Sequence, residues 1–403
     1  MSDVIVIGGG QAGASLVARL RSKGHDGAIT LICAEPVPPY QRPPLSKAYL
    51  LGEMEEHRLY LRPAAFYADN DITLRLNAPV TAIDAAGKTV SVGGDTLRYD
   101  TLVLATGSRP RRLPAAIGGD LDGVYQVRTL ADVDAMAAEF RPGRRLLVVG
   151  GGYIGLEAAA VASKLGLEVT VVEMAERILQ RVACAETSDY FRATHARHGV
   201  SICEETGLGR LTGDGHVDGA LLADGRRLEI DFAIVGVGIT PDSALAASAG
   251  LPVDNGIIVN AYGQTSDPDV FAAGDCAIFP FRDRMMRLES VQNAIDQAEC
   301  VADNIVGIER AYDPKPWFWS DQYDVKLQIA GLNLGYDRVI ARQGTAEGAV
   351  SFWYYCADRL LAVDAMNDAR AYMIGKRLIE GGKSPAPAVI ADPATDMKAL
   401  LRG

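Results

Sequence analysis

Val4-Ile5-Val6-Ile7-Gly8-Gly9-Gly10-Gln11-Ala12-Gly13 opens the chain, and its order decides how the rest is read. Four β-branched apolar residues in a row are the size of a buried strand. The glycine cluster breaks that strand into a tight turn, and residues 14–22 carry a helix-like apolar pattern. In such a strand–turn–helix unit Gly8 permits the turn, Gly10 lets the backbone approach a pyrophosphate and Gly13 lets helix and strand pack closely. The N-terminus of the helix is then aimed at phosphate oxygens. A second apolar run, 29–33, leads to Glu35, which lies 22 residues past Gly13 and is placed to accept hydrogen bonds from ribose hydroxyls.

With 42 glycines in 403 residues a motif of this spacing arises by chance roughly 0.4 times per chain, so one copy proves little. The whole unit recurs, however. Leu146-Leu147-Val148-Val149 runs into Gly150-Gly151-Gly152-Tyr153-Ile154-Gly155, a helical pattern follows through 158–164, and the run 169–172 ends at Glu173. Two dinucleotide sites in one chain follow. A carboxylate at Glu173 repels the extra 2′-phosphate of NADPH and favours NADH, while Arg177 and Arg181 close behind leave a cationic alternative.

Composition narrows the class. A length of 403 residues with 48% hydrophobic residues fits two or three well-buried domains. The net charge of -11 is repelled by phosphate backbones and anionic lipid, which excludes nucleic acid and membrane surfaces as expected partners. Apolar runs are short, and the N-terminal residues carry neither a basic segment nor a cleavable apolar stretch, so a cytoplasmic protein is expected. The six cysteines form no CxxC pair, and His195 and His198, three apart, have no partnered ligand pair nearby; no metal is expected.

With these motifs in place the chain resembles the FAD-dependent pyridine nucleotide oxidoreductases, and within them the NADH-ferredoxin reductases of bacterial oxygenase systems. Further landmarks are Arg42-Pro43-Pro44-Leu45-Ser46-Lys47, Ala105-Thr106-Gly107, Arg128-Thr129-Leu130, Gly236-Val237-Gly238, Ala273-Gly274-Asp275, Glu289 to Ala294, and Trp317-Phe318-Trp319-Ser320-Asp321-Gln322-Tyr323. The resemblance implies an α/β fold of glutathione reductase type, with two Rossmann-like nucleotide-binding domains and an α+β C-terminal interface domain. It places an FAD domain at 1–108 and 240–316, an NAD domain at 109–239 and the interface domain at 317–403. Alternation of apolar strands with helical segments independently demands parallel sheets, and strand-like runs at 325–329, 351–355 and 360–363 before a last helical stretch make the tail α+β.

The resemblance also implies residue roles. Gly8, Gly10, Ala12, Gly13, Glu35, Arg42, Lys47, Val80, Ala105, Thr106, Gly107, Arg128, Asp275, Val291 and Trp319 would contact FAD. Gly150, Gly152, Ile154, Gly155, Glu157, Glu173, Arg181 and Gly238 would contact NADH. Lys47 and Glu157, 110 residues apart, are expected to meet beside the reactive edge of the flavin. Trp319 would stand on the side from which electrons leave, with Trp317 a packing residue. No cysteine lies between Glu35 and Leu50, where disulfide reductases and NADH peroxidases of the broader fold carry theirs, so direct donation to a one-electron carrier is expected over a thiol relay.

The implied partner is a two-iron ferredoxin, itself acidic, so docking needs local basic patches. Candidates are Arg109, Arg111 and Arg112; Arg282, Arg284 and Arg287; and Lys376 with Arg377. The alternatives are a reductase of a small acceptor (a quinone, ascorbate radical or oxygen) and a redox-sensing flavoprotein. A monomer is expected.

Overall fold

A computed structural model describes residues 2–402, and the chain divides into two compact units. The first holds the residues through Arg42, Glu55–Arg109 and Ile239–Pro314; the second holds Pro43–Met54, Pro110–Gly238 and the residues from Lys315 onward.

The first unit is built on an all-parallel sheet of five strands, in the order Val270–Ala272, Thr101–Leu104, Val4–Ile7, Ile29–Ile32, Ile72–Arg75. Parallel strands buried on both faces read as unbroken apolar runs, which is why Val4–Ile7 shows no alternation. The helix Gln11–Ser22 buries Leu16, Val17 and Leu20, a spacing of one, three and four that lines a single face. Each such fully buried side chain contributes about 2 kcal/mol. That face and the helix Val291–Ile305 share one core with the sheet, and Arg19 grips the buried Asp303 through Nε at 2.7 Å and Nη2 at 2.9 Å. The bond from Arg19 holds the Asp303 carboxyl below its ordinary range. Three antiparallel strands, Val80–Asp84, Thr89–Val92 and Asp95–Arg98, intervene before Thr101–Leu104.

The second unit repeats this plan. Its parallel sheet runs Ser201–Cys203, Glu168–Val172, Arg145–Val149, Phe232–Val235, Val124–Tyr125, and a three-stranded antiparallel sheet, Leu208–Asp214, His216–Leu222 and Arg227–Glu229, is inserted at the corresponding point. One outer strand differs in origin. Val124–Tyr125 precedes the glycine turn of its sheet, whereas its counterpart Val270–Ala272 comes last in the first unit.

The C-terminal part adds an antiparallel sheet in the order Trp317–Gln322, Val325–Gly331, Arg359–Met366, Val350–Cys356, Arg338–Gln343, covered by the helix Ala369–Glu380. Asp368 caps that helix by accepting the Ala371 N–H at 2.9 Å. Ala371, Tyr372, Ile374 and Leu378 face Trp353 and Val363 in its core. The strand Arg338–Gln343 is not legible as one in the sequence, because its three apolar residues, Val339, Ile340 and Ala341, fall on both faces among two arginines and a glutamine, with Ile340 packed on the core.

The helix Ala185–Arg197 is fastened to this sheet at both ends. Thr187 Oγ1 donates to the buried Asp364 at 2.8 Å, the Tyr354 hydroxyl donates to the same carboxylate, and the Cys184 N–H reaches the Tyr354 oxygen at 3.0 Å. Burial pushes the Asp364 carboxyl up to about 6. Near the other end His195 bonds Gln322. Among the described residues no helix is long and apolar enough to cross a membrane.

Candidate functional site

The first glycine turn is shaped by what surrounds each glycine. Gly8 has φ +121°, and a Cβ there would lie 2.1 Å from the Ala105 carbonyl oxygen, so only glycine lets these two turns touch. A Cβ on Gly13 would lie 2.0 Å from the Gly8 oxygen; this is the close approach of helix to strand. Around Gly10 the result is opposite, with no atom within 4 Å of the position a Cβ would take. The middle of the turn is an open cradle bordered by the first N–H groups of the helix Gln11–Ser22.

The second turn is built alike. A Cβ on Gly150 would lie 2.4 Å from the Gly236 oxygen, one on Gly155 2.3 Å from the Gly150 oxygen, and one on Gly152 would have no neighbour within 4 Å. The residues present therefore fit a dinucleotide pyrophosphate at each turn, close where the backbone must close and empty where phosphate would sit.

Beside the first cradle, Glu35 is half-buried between two side chains: Arg42 Nη2 donates to Oε1 at 2.6 Å and the Tyr40 hydroxyl donates to Oε2 at 2.7 Å. Burial alone would lower the Arg42 guanidinium, yet Tyr40, Glu35 and Asp275 together hold it above its ordinary value, so it stays cationic. Asp275 accepts the Ser108 hydroxyl at 2.9 Å. Thr106 Oγ1 donates to the Asp242 carbonyl at 2.5 Å, and the Asp242 N–H returns to the Gly107 carbonyl at 2.9 Å, tying two distant segments of the first unit together. Ala12 is buried in the helix, Val291 opens the helix Val291–Ile305 and Val80 opens the strand Val80–Asp84, the last two half-buried. Cys33 lies beneath Gly9, and burial and Glu35 push its thiol up to about 12, far from a reactive thiolate.

In the second unit Glu173 is held, among the described residues, by backbone alone. The Gly151 N–H donates to Oε2 at 2.7 Å and the Ala175 N–H to Oε1 at 2.8 Å. Arg177 is not available to a nucleotide phosphate: Nη1 bonds Ser188 Oγ at 2.6 Å and Nη2 the Ala183 carbonyl at 2.9 Å. Arg181 is exposed, with Nη1 3.8 Å from where a Gly238 Cβ would stand, so these two expected residues are neighbours. Ile154 is 47% exposed at the start of the helix Tyr153–Lys164. Arg128 is half-buried just before Thr129, whose hydroxyl caps the helix Leu130–Ala137.

The most distant pair does meet. Lys47 Nζ lies 2.6 Å from Glu157 Oε2, and Glu157 is only 3% exposed although it belongs to a helix. The same oxygen accepts the Ser46 hydroxyl at 2.7 Å, and Oε1 accepts the Ser320 hydroxyl at 2.7 Å. A buried carboxylate is sustained by such charge-assisted bonds. Sequence reasoning missed both serines. Ser46 adjoins Lys47, and Ser320 adjoins Trp319 on a strand where successive side chains face opposite ways. Trp319 is half-buried with its ring centroid 5.5 Å from that of Trp317, over which Lys376 Nζ lies at 5.1 Å.

The remaining candidates sort by their contacts. His195 Nε2 faces Gln322 Oε1 at 2.8 Å and Nδ1 faces the Tyr323 hydroxyl at 3.1 Å, while His198 stacks on the Tyr323 ring at 3.7 Å. Both His195 nitrogens are thus engaged with protein. Arg287 is bound to Glu289 at 2.7 Å and to the Asn255 and Asp275 carbonyls, which withdraws it from the basic docking patch; Arg282 and Arg284 are exposed, the first over the Phe281 ring at 4.8 Å and the second 3.5 Å from Asp283.

The comparisons with known proteins agree with this geometry. The profile of the family described as pyridine nucleotide-disulphide oxidoreductase matches residues 2–298, and that of the reductase C-terminal domain matches 317–401. Rhodocoxin reductase of Rhodococcus erythropolis is 41% identical, with 99% of this chain and 94% of that protein aligned. Putidaredoxin reductase of Pseudomonas putida is 40% identical over 99% of this chain and 96% of its own length. The crystal structure of the covalent putidaredoxin reductase–putidaredoxin complex superposes with a TM-score of 0.96 at 39% identity, covering 100% of this chain and 98% of that one. With two glycine turns of one design and a family profile across most of its length, the chain belongs to the pyridine nucleotide-disulphide oxidoreductase family.

Proposed function

We propose that this protein is an FAD-dependent NADH:ferredoxin oxidoreductase, which takes electrons in pairs from NADH and passes them singly to a two-iron ferredoxin serving an oxygenase. The observation that carries the reading is the duplicated open cradle, at Gly10 and at Gly152, in a chain about 40% identical over its full length to reductases of small redox proteins. The segment between Glu35 and Leu50, where thiol-dependent members of the broader fold bear cysteine, has none and holds Lys47. Six free cysteines fit a reducing compartment, and we place the protein in the cytoplasm.

FAD, when bound, supplies the conversion of a two-electron donor into a one-electron donor. The chain supplies position and field. In the first unit the turn at Gly8, Gly10, Ala12 and Gly13 would hold the pyrophosphate, Glu35 a ribose, and Arg42, Val80, Ala105, Thr106, Gly107, Asp275 and Val291 the remainder of FAD. In the second unit Gly150, Gly152, Ile154 and Gly155 would hold the NADH pyrophosphate, Glu173 the adenosine ribose, and Arg181 and Gly238 the rim. Lys47 would place a fixed cation at the nicotinamide end, held there by Glu157 at 2.6 Å.

Anaerobic stopped-flow absorbance tests this directly. The yellow protein should bleach on mixing with NADH and recover its colour faster with one oxidised ferredoxin of a panel than with ascorbate radical or quinones. Slow, indifferent recovery with every ferredoxin would make it a small-acceptor reductase or a redox sensor.

A further inference from the structure

Glu157 is the terminus of a longer buried chain. Ser320 Oγ lies 2.7 Å from Glu157 Oε1, Gln322 Nε2 lies 3.2 Å from Ser320 Oγ, His195 Nε2 lies 2.8 Å from Gln322 Oε1, and the Tyr323 hydroxyl lies 3.1 Å from His195 Nδ1. Ser320 and His195 are fully buried and Gln322 is 1% exposed. The chain therefore runs without solvent from the half-buried Tyr323, in the turn between two strands, to the partner of Lys47.

Its direction is forced by donor and acceptor counting. A carboxylate only accepts, so the single Ser320 hydroxyl proton points at Glu157, and Ser320 must accept from the next group. That group is the Gln322 amide nitrogen, which turns the amide oxygen towards His195. The imidazole must then carry its proton on Nε2, leaving Nδ1 to accept from the Tyr323 hydroxyl. Burial holds the His195 ring low, at about 4, so it carries one ring proton at neutral pH, the number this chain allows. Every donor points towards Glu157. Because an amide stands in the middle, the chain orients rather than conducts protons.

We propose that Ser320, Gln322 and His195 are positioning residues that fix the Glu157 carboxylate opposite Lys47, so that the C-terminal sheet and the helix Ala185–Arg197 set the geometry of the nicotinamide end. The strand that bears Ser320 on one face bears Trp319 on the other, which makes the position of that tryptophan depend on the same bonds. This rests on the reading of Lys47 and Glu157 as the pair beside the nicotinamide.

The test compares NADH-driven bleaching of the FAD-loaded protein in Lys47→Ala, Ser320→Ala, Ser320→Thr, His195→Phe and His195→Gln, and, apart from turnover, reads the His195 tautomer by 15N-histidine NMR: the Nε2–H form is expected, and the Nδ1–H form overturns the proposed chain. Ser320→Ala should lower the limiting rate roughly tenfold, the scale of one lost bond to a buried charge, with the half-saturating NADH concentration shifted less than about twofold. Ser320→Thr keeps the hydroxyl and should recover the rate to within about threefold. His195→Phe should slow bleaching by about threefold through loss of a more remote bond, and His195→Gln, with an amide N–H near the place of Nε2, should recover it. A slow Lys47→Ala beside a Ser320→Ala limiting rate equal to wild type overturns the positioning proposal alone. So does a Ser320→Thr variant as slow as Ser320→Ala. An unchanged Lys47→Ala overturns the reading of the pair itself. Should His195→Phe fail to fold, the two Ser320 variants decide.

Discussion

The two glycine turns share a backbone and differ in what holds their acidic residue. In both, the first glycine meets a neighbouring carbonyl, the third meets the first, and the middle one faces open space. Glu35, however, is gripped by the side chains of Arg42 and Tyr40, whereas Glu173 is bonded by two backbone N–H groups and, among the described residues, by no cation. The first carboxylate is neutralised by a guanidinium that is itself held charged; the second keeps its field for whatever approaches the turn. One design thus yields a site in which the acid is part of a fixed ion pair and another in which, among the described residues, it is not, and the second is the one proposed to discriminate by charge. That is the difference expected between a resident cofactor and an exchanging one.

Filling the middle glycine should separate the sites most sharply. Gly10 has φ -91° and Gly152 φ -81°, backbone conformations open to any residue, and neither has a neighbour for a new side chain to strike. Gly152→Val should give a folded yellow protein whose bleaching at low NADH falls on the order of 100-fold, because the side chain occupies the pyrophosphate cradle. Gly10→Val should purify with little or no flavin absorbance near its normal thermal transition. If Gly152→Val loses the flavin, or Gly10→Val keeps it, the assignment of the two turns is reversed or wrong.

Charge comes next. Glu173→Gln removes the field that repels a 2′-phosphate while keeping one of the two backbone bonds, since the amide has a single acceptor oxygen, and should raise the ratio of NADPH to NADH efficiency about tenfold, the effect of roughly one charge near a half-buried site. Glu35→Gln should leave that ratio unchanged and instead weaken FAD retention by loosening Arg42. Steady-state kinetics with both nucleotides, together with the flavin absorbance of purified protein, reads both arms. Equal ratios in wild type and Glu173→Gln would remove the basis for calling the second acid a discriminator.

How far the sequence carries depends on the range of the interaction. Strand, turn and helix at Val4–Ser22 and Leu146–Lys164 are local consequences of β-branched runs, glycine spacing and helical periodicity, and they are legible residue by residue. The meeting of Lys47 and Glu157 is visible only through family resemblance, since nothing within either segment points across 110 residues. Ser46 and Ser320 stand inside landmark motifs, yet their role escapes even that, because a serine beside a lysine or a tryptophan looks like any polar residue until the fold places it over a buried carboxylate. The same holds for Arg177 and Arg287. As sequence they are free cations near functional motifs, and as structure they satisfy carbonyls and carboxylates of their own neighbourhoods.

Arg177 and Arg181 supply the smallest and most discriminating contrast. Both follow Glu173 closely, and by charge alone either could receive the 2′-phosphate once the acid is neutralised. Arg177 bonds the Ala183 and Cys184 carbonyls and the Ser188 hydroxyl, so Arg177→Ala should lower the thermal transition, on the scale of about 1–3 kcal/mol for polar groups left unpaired, without changing nucleotide preference. Arg181 is exposed beside Gly238, and a solvated cation there contributes little Coulomb energy. In the Glu173→Gln background Arg181→Ala should therefore reduce the gained NADPH efficiency by only about two- to threefold and leave the thermal transition in place. If Arg177→Ala shifts preference and Arg181→Ala shifts stability, the bonds that distinguish the two arginines do not govern what they do. The contrast between a backbone-held acid and a side-chain-held acid would then need another cause.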